Sequence, residues 1–176
     1  MISEQEFLDT ELSVGISPSN PQFVELAKQT AEAVIRQCEF NTVLDYGAGV
    51  GVYANEMSKQ GKDVLVYEIF KPHREFIQAN FPYLLIVDEP ITTGLLMWIE
   101  VAEHMTDVEH AYLFSKIQPQ YVLFSSTSQR TPQDEDWGHI NIKEQSEWVE
   151  MFNKFGYRLK SDMSLPTQWT KLFERI

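Results

Sequence analysis

Short apolar runs alternate with longer amphipathic segments along this chain, and this alternation is the strongest constraint on its fold. Five runs are predicted to be strands: TVLDY (42–46), DVLVYEI (63–69), YLLIV (83–87), GLLMWIE (94–100) and QYVLFSSTS (120–128). Strands that alternate with helices form a parallel sheet covered by helices on both faces. Two further strands, YRLKSDM and TQWTKLFERI, are predicted at the end of the chain, with the last antiparallel. We therefore predict an α/β fold with a doubly wound, mostly parallel seven-stranded sheet that binds ligands at the carboxyl ends of its strands.

The 176 residues are predicted to form a single domain. Residues 1–40 form its helical N-terminal region, in which Asn20 and Pro21 are the N-cap and first residue of a helix. The connection between the third and fourth strands is too short for a full helix. A helix over AEHMTDVEHAYLFSKI follows the fourth strand. The irregular segment 127–142 follows the fifth strand and is predicted to be an active-site loop, since long loops in compact domains tend to be functional.

Composition and charge exclude several classes of protein. The net charge is -12, and no lysine or arginine occurs from Glu75 through Ser115, so duplex nucleic acid and membrane surfaces are not expected partners. The chain has a single cysteine, Cys38, which excludes an internal disulfide and a multi-cysteine zinc site. Cys38 follows Val34 and Ile35 in a helical pattern, so it is predicted to be a small buried side chain. No signal peptide or spanning segment is recognised, so a cytoplasmic location is expected.

The stretch VLDYGAGVGVY (43–53) places three glycines directly after the first strand. Glycine-rich turns of this kind often bind a diphosphate through backbone N–H groups. The spacing here is G-x-G-x-G, and Val52 stands where a dinucleotide site needs glycine or alanine. A carboxylate at Asp45 would also repel a diphosphate, but it suits a ligand with an ammonium and a sulfonium group. That combination is S-adenosylmethionine; the alternative is that Asp45 only caps the next helix.

Further acids follow the second and third strands. Glu68 is placed to accept both ribose hydroxyls of a nucleoside, or alternatively to cap the helix that follows it. Ile69 could pack on an adenine face. Asp88 is predicted to accept the adenine amino group, with Glu89 as its rival.

With these residues and IEVAEHM after the fourth strand, the sequence resembles a class I S-adenosylmethionine-dependent methyltransferase, a Rossmann-like family whose signature includes E-V-x-E-H. The resemblance covers roughly 42–124 well. It implies that Asp45 binds the methionine amino group, that Glu68 binds the ribose and Asp88 the adenine. It also implies that the cofactor is lined by Gly47, Gly49, Gly51, Glu100 and Val101. The absent helix between the third and fourth strands and the short N-terminal region depart from the family. A lid would therefore come from the first twenty residues, the 127–141 loop or a second subunit in a homodimer.

The segment DWGHIN (136–141) supplies the candidate catalytic residue. An imidazole at His139 could accept a proton from a hydroxyl or ammonium group. Asn141, Trp137 and His104 are predicted to contact substrate. The alternatives are that His139 and Asn141 fasten the loop, that Trp137 is packing, and that His104 bonds nearby backbone.

The remaining histidines and the acidic stretch 134–136 are predicted to have structural rather than catalytic roles. His73 and His110 are predicted to be solvent-facing helical residues. No histidine pair has i, i+4 spacing, so no metal is predicted. Asp134, Glu135 and Asp136 are interpreted as a solvated loop face that disfavours anionic substrates.

The sequence thus predicts methyl transfer to an oxygen or nitrogen of a small neutral or cationic acceptor, such as a sugar or another metabolite. The alternatives are a non-catalytic protein that binds the cofactor or a partner, and a nicotinamide-dependent oxidoreductase. Asp45 and Val52 argue against the oxidoreductase.

Overall fold

A computed structural model describes residues 3–132 and 134–176 of the chain. In this part of the chain seven strands form one sheet in the order β3-β2-β1-β4-β5-β7-β6. The strands are β1 Thr42–Tyr46, β2 Asp63–Tyr67, β3 Leu85–Ile86, β4 Leu95–Ile99, β5 Tyr121–Ser125, β6 Tyr157–Asp162 and β7 Lys171–Arg175. Strands β1 to β5 pair in parallel, and β7 is antiparallel to both β5 and β6. The predicted fold, including the antiparallel last strand, is confirmed.

Helices cover both faces of this sheet. Their bounds are α1 Glu4–Ser13, α2 Pro21–Ile35, α3 Val52–Lys59, α4 Lys71–Asn80, α5 Asp107–Lys116, α6 Asp134–Trp137 and α7 Gln145–Lys154. Asn20 caps α2 as predicted, because its side chain accepts the Gln22 N–H. No helix of the described chain is long and apolar enough to cross a membrane.

The connections around β4 differ in part from the prediction. No helix lies in 87–94, between β3 and β4, as expected. The helix predicted over 102–117 is split into a 3-10 turn, Ala102–His104, and α5. Thr106 causes this break, because its side chain accepts the Glu109 N–H and Glu109 bonds back to it in a capping box.

The core lies on both faces of the sheet, as near-continuous apolar strands require. One face carries an aromatic cluster under α5 and α7, in which Phe124 of β5, Phe152 of α7 and Phe173 of β7 are all fully buried. The rings of Phe152 and Phe173 stack with centroids 3.9 Å apart. Cys38 lies in the core of the other face, which confirms its predicted burial.

Two histidines lie elsewhere than the sequence predicted. His73 and His110 are buried, not exposed to solvent. Each faces the protein interior with a polar partner for one ring nitrogen: His73 Nε2 lies 2.7 Å from a Glu11 carboxylate oxygen, and His110 Nε2 lies 2.9 Å from the Ala102 carbonyl oxygen. These partners offset the cost of burying an imidazole, which is why the apparent polarity of the two helices was misleading.

The stacked aromatic pair predicts a large effect on stability. Phe152→Ala should lower the free energy of unfolding by about 3–5 kcal/mol, because it removes a fully buried ring and leaves a cavity. Val108→Ala, at an exposed position of α5, is the control and should change it by less than about 0.5 kcal/mol. Urea unfolding followed by circular dichroism measures both, and equal effects would contradict this view of the core.

Candidate functional site

The glycine-rich turn between β1 and α3 lies at the carboxyl edge of the sheet. The Gly47 N–H donates to the Tyr67 carbonyl oxygen at 2.8 Å, which ties the turn to the end of β2. Gly47 has a φ of +72°, and a Cβ there would lie 2.6 and 2.9 Å from the two methyl carbons of Val101. This turn therefore requires glycine for its conformation and for its close approach to the segment after β4.

Glu68 joins the glycine turn to the start of α4. Its buried carboxylate accepts the Gly49 N–H and the Phe70 N–H, each at 2.9 Å. Phe70, not Glu68, is the N-cap of α4, so the alternative that Glu68 caps that helix is wrong; Glu68 instead accepts the N–H of the N-cap residue. Burial raises the pKa of Glu68. Each carboxylate oxygen has a second lone pair, so acceptance of ribose hydroxyls stays a prediction.

Asp45 is a buried carboxylate with incomplete hydrogen bonding. It is 4% exposed, and its Oδ2 has no hydrogen-bond partner among the described residues. Burial, and next the nearby Glu68 carboxylate, raise the pKa of Asp45 to about 7, while the backbone N–H of Ala54 acts in the opposite direction. Buried acceptors without partners are rare in folded proteins, and each requires an explanation such as a ligand, an ordered water or a functional role.

The predicted adenine contacts lie at the open side of this edge. Ile69, directly after Glu68, is 65% exposed and offers an apolar face. Asp88 is exposed, and its carboxylate accepts from the Arg74 guanidinium at 2.7 Å. Asp88 is thus available to solvent but already paired.

Glu100 and Val101 lie where β4 ends. Glu100 has a φ of +53°, a conformation that non-glycine residues seldom adopt. Its carboxylate accepts from the Ser125 hydroxyl and, at 2.9 Å, from Trp169 Nε1, and these bonds direct it toward β5 and β7. Val101, by contrast, packs on Gly47 as a wall of the glycine turn.

The N-terminal helix α1 covers the glycine turn. Leu8 is buried in the same apolar cluster as Ala48 and Val50. Phe7 packs against the rings of His104 and Trp137, with centroids 6.1 and 5.7 Å away. Two of the three candidate lids, the first twenty residues and the 127–141 loop, therefore meet over the site.

The 127–142 loop brings His139 against His104. Their ring centroids are 4.8 Å apart, and His139 Nδ1 lies 3.2 Å from Asp134 Oδ1. Asn141 donates to the Met105 carbonyl and to Asp107 Oδ1, each at 2.9 Å. Both amide hydrogens of Asn141 thus fasten the loop, which leaves its carbonyl oxygen for any contact with substrate.

Glu103 completes this group and was not named from the sequence. Its fully buried carboxylate accepts from Ser126 Oγ at 3.0 Å and from the Thr127 N–H at 3.4 Å. Burial and the neighbouring Glu100 carboxyl raise the pKa of Glu103 to about 8. Burial, and next His139, lower the pKa of His104 to about 4, so its imidazole is neutral near pH 7.

Asp134 also differs from its predicted place. Its side chain is 17% exposed and binds His139 and Thr131, so it does not belong to a solvated loop face. The side chains of Glu135 and Asp136 lie outside the described part of the structure. The signal for Glu103 was present in the E-V-x-E-H stretch, but the contact of Asp134 with His139 depends on the fold of the loop.

Comparisons with known proteins identify the fold. No family model matches the sequence, and no curated protein matches it significantly. Among solved structures, a methyltransferase from Leishmania major that depends on S-adenosylmethionine superposes with a TM-score of 0.68 at 16% identity, over 98% of this chain and 82% of that one. The protein has the methyltransferase fold.

Two larger enzymes share this fold with the protein. Human N-acetylserotonin methyltransferase, solved with S-adenosylmethionine, gives a TM-score of 0.65 at 16% identity over 98% of this chain. Mitomycin 7-O-methyltransferase MmcR gives 0.60 at 14% identity over 99%. The chain spans only 56% and 61% of their respective lengths. The resemblance drawn from the sequence is therefore confirmed at the level of the fold.

The contact between Gly47 and Val101 predicts a difference between two glycines. Gly47→Ala and Gly61→Ala both place alanine at positive φ, near +72° and +78°, but no atom lies within 4 Å of a Cβ at Gly61. Gly61→Ala should lower the free energy of unfolding by about 1–2 kcal/mol from backbone conformation alone. Gly47→Ala should lower it by a further ~1–3 kcal/mol from overpacking. Equal losses in chemical unfolding would show that the close approach is unimportant.

The raised pKa of Asp45 predicts a dependence of stability on pH. The folded-state pKa of about 7 exceeds the ordinary value of 3.8, so the folded state holds the proton more tightly than the unfolded state does. Asp45 therefore reduces the free energy of unfolding progressively as pH rises between these two values. Asp45→Asn should raise the melting temperature relative to wild type more at about pH 8 than at about pH 5. Asp63→Asn, at an exposed position, should show no such trend, and a trend of opposite sign for Asp45→Asn would refute the assignment.

Proposed function

We propose that the protein transfers a methyl group from S-adenosylmethionine to an oxygen or nitrogen of a small neutral or cationic acceptor. The observation that carries this proposal is the buried, incompletely bonded carboxylate of Asp45 beside the glycine turn. S-adenosylmethionine supplies an ammonium group and a methyl on a sulfonium, whose departure as a neutral thioether needs little covalent assistance. The donor set fits this cofactor, because an ammonium could satisfy Asp45 and offset the charge that burial disfavours.

The chain's own residues would hold the cofactor along the carboxyl edge. Asp45 binds the ammonium group, Glu68 accepts from the ribose hydroxyls, and Ile69 and Asp88 contact the adenine. The positions that line the methionine end are Gly47, Gly49, Gly51, Glu100 and Val101. This assignment is supported by the location of these residues at the ends of β1 to β4, where a doubly wound sheet binds ligands.

The acceptor would lie between α1 and the 127–142 loop. In this proposal the acceptor contacts His104, Trp137 and Asn141. The imidazole of His139 is the base that accepts its proton. The contact of Asp134 with His139 Nδ1 supports this role, since it orients the ring and leaves Nε2 free to act. Asp134 beside His139 and Asp107 beside Asn141 bring carboxylates to this space, which favours neutral or cationic acceptors over anionic ones.

Calorimetric titration tests the cofactor assignment. Wild-type protein should bind S-adenosylmethionine and its demethylated product with micromolar affinity, and Asp45→Ala should weaken the binding of both by about tenfold or more, since hydrogen bonds to charged groups are worth roughly 1.5–3 kcal/mol. Asp63→Ala, at the opposite end of a neighbouring strand, should bind as wild type does. Binding that Asp45→Ala leaves intact would overturn the assignment. No binding to wild type would favour a non-catalytic role.

Turnover measured with a labelled methyl group tests the acceptor end. His139→Ala should reduce kcat by about a hundredfold or more at saturating acceptor, because general acid–base groups typically contribute on the order of 10²–10⁴. Cofactor affinity should change little, because His139 is not among the proposed cofactor contacts. Near-wild-type turnover would show that His139 only fastens the loop.

A further inference from the structure

Glu103, His104 and His139 converge at the acceptor end of the site. Their potential ligand atoms, one from each side chain, lie within 4.8 Å of one another. The histidines come from different elements, the 3-10 turn after β4 and the loop after β5, so the absence of i, i+4 spacing in the sequence does not bear on this group. Two imidazoles and one carboxylate are a ligand set found in metal sites with open positions, such as those of zinc and non-heme iron enzymes.

A neighbouring carboxylate orients the ring of His139, and the loop backbone lies close to the ring of His104. His139 Nδ1 faces Asp134 Oδ1 at 3.2 Å, so its other nitrogen, Nε2, is left for a ligand. His104 Nδ1 lies 3.8 Å from where a Cβ on Gly138 would be, so a side chain at that position would be in van der Waals contact with the ring. A carboxylate or carbonyl on the far nitrogen is the usual support of a metal-bound histidine.

Backbone hydrogen bonds hold the loop against the turn that carries Glu103 and His104. The Ile140 and Asn141 N–H groups both donate to the Glu103 carbonyl oxygen at 2.9 Å. The side-chain oxygens of Glu103 are positioned by Ser126 and Thr127 on the other side. The three candidate ligands thus belong to one connected network. Atoms as far as 4.8 Å apart would approach by up to about 1.4 Å to reach the ~3.4 Å separation that tetrahedral metal bonds of roughly 2.0–2.2 Å require.

Among the described residues, the acids of this group have no basic partner except His139 itself, which faces Asp134. Glu103 is fully buried three residues after Glu100, and Asp134 adds a third carboxylate behind His139. Across residues 3–132 and 134–176 no lysine or arginine forms an ion pair with any of these three acids. Buried carboxylates are normally paired with a cation or coordinate a metal.

We propose that Glu103, His104 and His139 bind one divalent transition-metal cation, which in turn binds a hydroxyl oxygen of the methyl acceptor. Imidazole ligands favour zinc, iron and similar metals, whereas magnesium prefers oxygen ligands alone. Three protein ligands leave at least one position for the acceptor. The cation site needs only the geometry of this group, while its role toward the acceptor rests on the proposed function.

Metal binding would select oxygen as the methylated atom. Coordination lowers the pKa of the hydroxyl, whose proton leaves to solvent, so no free imidazole base is needed. The oxygen then forms a bond to the methyl carbon as the carbon–sulfur bond breaks and its electron pair stays on sulfur. The products are a methyl ether, S-adenosylhomocysteine and one proton.

Cobalt(II) is the probe for this site, because its visible absorption reports coordination without any methyl transfer. Chelator-treated wild-type protein should bind one equivalent with visible absorption bands, and X-ray absorption should show two imidazole nitrogens. Glu103→Gln, His104→Gln and His139→Gln should each weaken binding by about a hundredfold, the scale of losses at metal sites. Glu150→Gln, at an exposed position on α7, is the control and should bind as wild type does.

The outcomes separate the metal site from the proposed function. Binding of cobalt that is lost in the three ligand variants supports the site whether or not S-adenosylmethionine binds. Binding of S-adenosylmethionine without cobalt overturns the metal site and leaves His139 as an imidazole base. Cobalt that binds wild type without imidazole nitrogens, or that persists in folded ligand variants, also overturns it. The X-ray absorption result on wild type decides the question even if a variant fails to fold.

Discussion

Repulsion among carboxylates at one edge of the sheet is the constraint around which the site is built. Asp45 and Glu68 lie at the ends of β1 and β2, and Glu100 and Glu103 follow β4. Burial raises the pKa of Asp45, Glu68 and Glu103. The carboxyl of Glu68 also raises the pKa of Asp45, just as that of Glu100 raises the pKa of Glu103. A positively charged ligand would stabilise the ionised form of these buried carboxyl groups.

The two groups of acids correspond to the two proposed ligands. Asp45 and Glu68 lie on the side of the glycine turn, where an organic cation with an ammonium group fits. Glu103 lies with two imidazoles, where a metal cation fits. The contact of Gly47 with Val101 joins the two sides, because it packs the turn after β1 directly on the segment that leads to Glu103 and His104. A small acceptor between α1 and the loop would therefore lie within reach of both.

The sequence predicted the sheet and most of its edge because local pattern and parallel topology determine them. Apolar runs such as that of β4 fix the strands, and once the strands are parallel their following residues meet at one edge. The features that could not be predicted from the sequence depend on contacts between segments that are distant along the chain. The burial of His73 requires Glu11 of α1, and the meeting of His104 with His139 requires the loop to fold back over β4. The polarity of these side chains gave no sign of their partners.

The two edges of the sheet differ in a way that bears on self-association. One edge is β3, which pairs with β2 through only two residues. The other is β6, whose Arg158 and Lys160 both pair with Glu174 of the neighbouring strand and so keep charged side chains along that margin. A short edge strand and a charged one are both poor templates for a strand from another molecule. A second copy of the chain would therefore gain little by continuing the sheet, and aggregation through strand addition is disfavoured at both margins.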